Sequence, residues 1–259
     1  MEIGEIISES FRYPFSEPNA FMKVALFSLL LAVPVFIMIL GILSFSGSNN
    51  SSQAGMVVLV LYGIYLICAL IYSLIMGGYN LSVMKEGINH SGALPAFDLA
   101  KNIVDSIKLW ILSIIYSIVP IIVVTALFFV MIAGAANSSS NDPSSMFAGG
   151  FLIVALVAII LGIIFGILLL VATLRFANTD SLSEGLKFSA VFDDIKQIGI
   201  GKILILVILL GIIIGVIALL SALISLIPII GFLVILFFIS PFIQLFLSYA
   251  YGLLYSDIA

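Results

Sequence analysis

Charge is the scarcest property of this sequence. Only 8% of its 259 residues are Asp, Glu, Lys or Arg, against 63% hydrophobic residues and a mean hydropathy of +1.38. A soluble domain carries about 25% charged residues, so a water-facing globular class is excluded and the chain reads as an integral membrane protein whose first partner is the lipid bilayer. The single cysteine, Cys68, lies in an apolar run. It excludes a disulfide framework and a cysteine-rich metal site, and reads as a small core residue. Nine basic residues scattered over three segments make no phosphate-tracking stripe, which excludes a nucleic-acid partner. No HExxH, P-loop or Gly-x-Ser-x-Gly pattern is present.

Long apolar runs are what the sequence has in abundance. Six segments, near 21–45, 55–78, 107–133, 147–173, 202–226 and 229–254, each match the roughly 20 helical residues needed to cross a hydrocarbon core. Only Ile227-Pro228-Ile229-Ile230-Gly231 divides the last two. One helix through both would outrun the bilayer, so a tight turn is expected at Pro228 and Gly231. Pro34, Pro120 and Pro241 fall inside spans and predict kinks. None of the six spans holds a centrally placed ionisable residue, the usual mark of ion coupling, proton relay or voltage sensing. That argues against a proton-coupled carrier.

The basic residues are distributed on one side. Arg12 and Lys23 precede the first span; Lys85, Lys101 and Lys108 lie between spans two and three; Arg175, Lys187, Lys196 and Lys202 lie between spans four and five. The opposite loops, 47–54 and 135–146, carry no Lys or Arg. By the positive-inside rule both termini and the charged loops are expected on the cytoplasmic side of the cell membrane. Asn50-Ser51-Ser52 and Asn137-Ser138-Ser139 would fit glycosylation acceptors on the outer side, a pattern that Ser/Asn-rich loops also match by chance.

The charged segments have a helical period of their own. Ile3, Ile6, Ile7 and Phe11 share one side of the N-terminal stretch, opposite Glu2, Glu5, Glu9 and Arg12. No basic region precedes an apolar run there, so the stretch reads as retained rather than as a signal peptide. Phe97, Ala100, Val104 and Ile107 recur at spacings of three and four and lead into span three. Ser181 and Glu184 form a capping-box pattern, followed by a run that sets Phe192 and Ile195 against Asp193, Asp194, Lys196 and Gln197. Their mixed acids and bases predict interfacial cuffs rather than lysine-rich lipid sensors. The expected architecture is all-α: a single integral membrane domain over 1–259 with six transmembrane helices and cytoplasmic interfacial helices. Weak internal units at 1–79, 80–175 and 176–259 would be three parallel hairpins.

Small residues mark candidate packing faces. Ala158, Gly162 and Gly166 repeat every four residues in span four; Gly211 and Gly215 do so in span five, followed by Ala218 and Ala222. Such spacing lets backbones approach where lipid supplies no hydrophobic drive, and predicts a protein partner, a second copy or a helix of the same chain there.

No catalytic, cofactor-binding or metal-ligating constellation can be assembled from these residues. His90 sits in Asn89-His90-Ser91-Gly92, a turn composition. Glu86 and Asp98 flank it without a recognisable metal spacing. Glu184, Asp193 and Asp194 read as solvated faces and helix-start charges. Gln244 could bond a substrate but more commonly bonds a neighbouring helix. Ser117, Thr125, Thr173, Ser221, Ser225 and Ser240 can each bond their own helix backbone. Three function classes remain: a non-enzymatic membrane scaffold or accessory subunit, a transporter or channel for a small or lipidic substrate, and a membrane enzyme. The last requires an acid or base brought to His90 by another loop.

The polar stretch after Gly78 carries a resemblance. Gly78-Tyr79, Leu94-Pro95, Phe97-Asp98, Asp105, Lys108, Tyr116 and Pro120, and later Ala177-Asn178-Thr179-Asp180-Ser181-Leu182 with Phe188 and Val191, resemble an uncharacterised prokaryotic membrane-protein family, domain of unknown function 4013. Leu99 and Ser106 stand where that family's pattern more often has tryptophan and glycine. The resemblance implies a multi-spanning prokaryotic membrane protein and no activity.

Overall fold

The computed structural model describes residues 1–45, 51–137, 143–227 and 229–259. Among them all regular structure is helical: α1 (Ile3–Arg12), α2 (Pro18–Phe27), α3 (Leu29–Phe45), α4 (Ser51–Ile88), α5 (Leu99–Asn137), α6 (Pro143–Thr179), α7 (Leu182–Gly185), α8 (Phe188–Ile198), α9 (Ile200–Ile224), α10 (Ile230–Val234) and α11 (Ser240–Tyr255). A 3-10 turn at Tyr13–Phe15 follows α1, and a π-helical turn at Ile235–Ile239 precedes α11.

Among the described residues, five helical segments are long and apolar enough to cross a membrane: Gly55–Ile88, Leu99–Gly134, Gly149–Thr179, Ile200–Ile224 and Ile230–Tyr255. The sixth candidate is a pair, Pro18–Phe27 with Leu29–Gly41, bent by 41°. This break differs in place from the kink expected at Pro34, which lies inside α3. It falls at Ser28, whose N–H bonds the Ala25 carbonyl over three residues and whose own carbonyl is shared between the N–H groups of Leu31 and Ala32. The helix tightens there toward 3-10 geometry and changes direction. Pro120 leaves α5 as one helix. Pro241 opens α11 directly after the π turn, where the lost N–H is absorbed by a locally widened helix.

Boundaries also shift from those read in the sequence. α4 continues ten residues past 78 to Ile88, while the amphipathic run after Pro95 leads without a break into span three, as expected, as the first turns of α5. The turn after α9 closes where expected: a Cβ on Gly231 would lie 2.1 Å from the Ile224 carbonyl oxygen, so only glycine fits. Pro228 lies outside the described residues. The positive dihedral belongs to Ile229, with φ 64°, a strained conformation for a β-branched residue. Residues 47–50 and 138–142 of the expected outer loops also lie outside the described residues, Asn50 among them, as does the side chain of Asn137.

The chain forms two compact units, Met1–Ile107 with Ile198–Ala259, and Lys108–Gln197. In the first, α4 packs against α3 and α11, and α1 packs on α11. Its buried side chains gather toward one end of the helices: Met76, Tyr79 and Val83 of α4; Ile203, Leu206 and Leu210 of α9; Leu245, Ala250 and Leu253 of α11. Ile6 of α1 is fully buried there. Glu2 and Glu5 close a capping box on α1, Glu2 N–H donating to Glu5 Oε2 at 3.0 Å. Asp257 accepts from the Met1 amino group at 2.8 Å and from Lys202 Nζ, so residues 1, 202 and 257 meet at that same end. In the second unit the core is Leu112 and Tyr116 of α5, Val171, Leu174 and Phe176 of α6, and Val191 of α8.

Candidate functional site

His90 is a helix stop. Its N–H bonds the Gly87 carbonyl at 3.1 Å, and the next N–H, of Ser91, reaches back to the Glu86 carbonyl at 2.9 Å. His90 itself has φ 53°. These are the paired bonds and left-handed residue of a Schellman cap, a place glycine usually takes. The turn composition therefore carries a structural role for the backbone, and leaves the imidazole exposed.

That imidazole borders an open cleft of about 900 Å³ in the first unit, lined also by Ser8, Glu9, Arg12, Tyr13, Ser16 and Tyr249. Tyr13 forms its floor, stacked on Tyr249 with ring centroids 3.9 Å apart and donating its hydroxyl to the Ala93 carbonyl at 3.1 Å. Burial pushes the Tyr13 phenol well above the ordinary tyrosine range, reinforced by the nearby tyrosines and carboxylates. It acts as a neutral donor at all ordinary pH values. No group of three or more His, Cys, Asp or Glu side chains suited to a metal forms among the described residues.

Gln244 bonds a neighbouring helix. Its Nε2 donates to Tyr72 Oη at 2.8 Å and to Ser240 Oγ at 3.3 Å. Ser221 donates to the Ile217 carbonyl and Ser225 to that of Ala222, each at 2.7 Å within its own helix stretch. Cys68 is half-buried, on the wall of an apolar groove of about 620 Å³ between α2–α3 and α4.

The residues that carry the family resemblance turn out to be joints. A Cβ on Gly78 would lie 2.0 Å from the Asn102 carbonyl oxygen, and one on Gly77 would lie 2.6 Å from Ser106 Oγ. α4 and the start of α5 thus touch backbone to backbone, which only glycine permits. Asn102 and Ser106 are buried along this seam, where Asn102 Nδ2 and Ser106 Oγ have no hydrogen-bond partner among the described residues. Tyr79 stacks on Phe97, which in turn stacks on Phe27, with centroids 5.0 and 4.2 Å apart. In the second unit, Tyr116 donates to the Gly185 carbonyl at 2.9 Å, Phe188 lies 4.6 Å from the Tyr116 ring, and Lys108 Nζ sits 5.8 Å over the Phe176 ring.

One arrangement escaped the sequence reading. Arg175, at the end of α6, donates through Nη1 to both carboxylate oxygens of Asp194, at 3.1 and 3.0 Å, and through Nη2 to Glu184 at 3.1 Å. Asp194 is therefore not a solvated face: it is 6% exposed. Nor does Ser181 cap α7, since its hydroxyl pairs with Ser183 at 2.9 Å and no side-chain cap bond forms. Glu184 is drawn instead to Lys187 and Arg175, whose hydrogen bonds hold its carboxyl below the usual glutamate range. The signal available in the sequence was the position of Arg175 at the membrane end of a span, where an unpaired cation is costly.

The glycines of the small-residue sets in spans four and five meet no neighbour: among the described residues nothing comes within 4 Å of where a Cβ on Gly162, Gly166, Gly211 or Gly215 would stand.

No curated protein and no solved structure matches the chain. A family model does, over residues 61–226, described as a protein of unknown function (DUF4013). It spans the seam at Gly78, the joint at Tyr116 and the Arg175 node, and on that match the chain belongs to the DUF4013 family.

Proposed function

We propose that this chain is a non-enzymatic scaffold or accessory subunit of the cell membrane. The observation that carries the reading is where its polar side chains go. Gln244, Ser221 and Ser225 bond neighbouring helices or their own backbone, and Arg175 is held by two carboxylates at a helix end. Polar groups committed to a neighbouring helix or to their own backbone support a packing role over a lined path. Gly162, Gly166, Gly211 and Gly215 are where a protein partner or second copy would seat.

In this reading both termini and the charged segments face the cytoplasm, α1 and α8 lie at the interface, and the spans form three parallel hairpins. The one-sided distribution of Lys and Arg supports the orientation, as does the meeting of residues 1, 202 and 257 at one end of the first unit. Crosslinking in membranes with a mild reagent, purification and mass spectrometry test the function. A reproducible protein partner or second copy is expected. A co-purifying metabolite with no protein would move the assignment to transport.

That second reading rests on the groove walled by Leu30, Val33, Pro34, Leu61, Ile64 and Cys68, beside the bend at Ser28. An apolar groove next to a broken span suits passage of a lipidic substrate.

A further inference from the structure

The polar cleft beside His90 does not end in water on every side. Phe15 belongs both to its wall and to the wall of a second groove, of about 420 Å³, lined by Pro18, Phe21, Met22 and Phe238. The Phe15 ring lies 6.1 Å from the rings of Phe21 and Phe238. The second groove is nearly devoid of polar atoms and runs along the first turns of α2, at the start of the bent span. The first lies beside the last turns of the span ending at Tyr255, through Tyr249, just as the second lies at the start of the bent span. The two together form one amphiphilic surface, with a polar mouth and an apolar tail groove, each in the size range of roughly 300–1,000 Å³ typical of small-molecule sites.

The mouth carries one charge of each sign. Glu9 and Arg12 stand one turn apart on α1, on the face that borders the cleft. Residues at that spacing are near enough to pair, yet among the described residues neither has an ion-pair partner. Both are exposed. A ligand with only a phosphate would satisfy Arg12 and be repelled by Glu9. One with a phosphodiester and an ammonium joined by a short link would satisfy both, and its acyl chain would continue past Phe15 into the apolar groove. We infer that this surface binds a zwitterionic glycerophospholipid, with Arg12 on the phosphate, Glu9 on the ammonium and one chain along Phe15, Phe21 and Phe238.

The test uses the full chain reconstituted in nanodiscs holding equal amounts of a phosphatidylethanolamine and a phosphatidylglycerol, followed by detergent extraction and native mass spectrometry of retained lipid. The wild type is expected to retain one phosphatidylethanolamine in preference. Arg12→Gln should lower that occupancy about tenfold, the loss of one charge-assisted hydrogen bond. Glu9→Gln should turn the preference toward phosphatidylglycerol, and Met22→Asp should abolish retention of either. Lys196→Gln, at an exposed ion pair outside the cleft, should change nothing. Because Glu9 and Arg12 are exposed, loss of folding is not the expected result of either change, and a thermal midpoint matching wild type checks it. A wild type that keeps phosphatidylglycerol instead, that keeps no lipid, or that binds the same lipids after Arg12→Gln and Glu9→Gln would overturn the assignment.

Discussion

Gly87 and Gly252 face each other where α4 crosses α11. A Cβ on Gly252 would stand 2.2 Å from the Met84 carbonyl oxygen and 2.9 Å from Gly87 Cα; one on Gly87 would stand 2.6 Å from the Tyr249 carbonyl oxygen and 3.0 Å from Gly252 Cα. Each glycine forbids a side chain on the other helix, so the crossing holds only while both positions are empty. Backbone contact of this kind draws helices together where apolar burial cannot.

Gly252→Ala is therefore expected to destabilise the protein by about 1–3 kcal/mol, the ordinary cost of overpacking, read as a lower thermal midpoint in detergent. Gly162→Ala, with nothing within 4 Å, should be neutral or should raise the midpoint through helix propensity, by up to about 1 kcal/mol. Equal loss from both would contradict the packing described.

The Arg175 node makes a second contrast. Asp194→Asn removes a charged acceptor from a mostly buried guanidinium and should cost about 2 kcal/mol. Asp193→Asn, one residue earlier and 62% exposed with its partner Lys196, should cost less than about 0.5 kcal/mol. A double-mutant cycle of Arg175→Met with Asp194→Asn should show coupling; purely additive losses would mean the pair contributes nothing.

Asp257 gives a pH dependence. Burial raises its pKa, but hydrogen bonds from Lys202 and the Met1 amino group outweigh that and leave it below the ordinary aspartate value of 3.8. A carboxyl lowered by folding contributes stability that is fully present above its unfolded pKa and is lost as pH falls through the folded one. The difference in thermal midpoint between wild type and Asp257→Asn should accordingly be constant near neutrality and shrink as pH drops below about 4. A difference that grew on acidification would refute the sign.

His90 can be separated into backbone and side chain. If its place is the left-handed residue of a helix cap, His90→Gly should leave stability within about 1 kcal/mol of wild type or raise it, whereas His90→Val should lower it by about 1–2 kcal/mol. Comparable loss from both would point to a role for the imidazole.

How much of this was legible beforehand depends on the range of the interaction. Six apolar segments, the helix stop around His90 and the close turn at Gly231 could be read directly, because hydropathy, turn composition and the need to end a helix are properties of neighbours in sequence. The Ser181–Glu184 pattern had the right letters and made a different bond, since Arg175 offered Glu184 a stronger partner than the backbone. Asp194 looked like one more solvated acid among Asp193, Lys196 and Gln197, and only the approach of α6 buried it. The bend at Ser28 rather than Pro34 was equally hidden, because proline in a span predicts weakened bonding without saying which turn will give way.

The small residues draw the line most clearly. Gly162, Gly166, Gly211 and Gly215 form regular stripes, and Gly78, Gly87 and Gly252 form none, yet it is the second set that touches backbone. Membrane class and a series of five to six long apolar helices were legible in the sequence itself, since each follows from the transfer of local segments between water and lipid. Which glycines meet, which acid is buried and which polar groups share a cleft were decided only by the tertiary structure. Those outcomes depend on the positions of residues as far apart as 9 and 92, or 87 and 252, and lipid imposes no local pattern on such pairs.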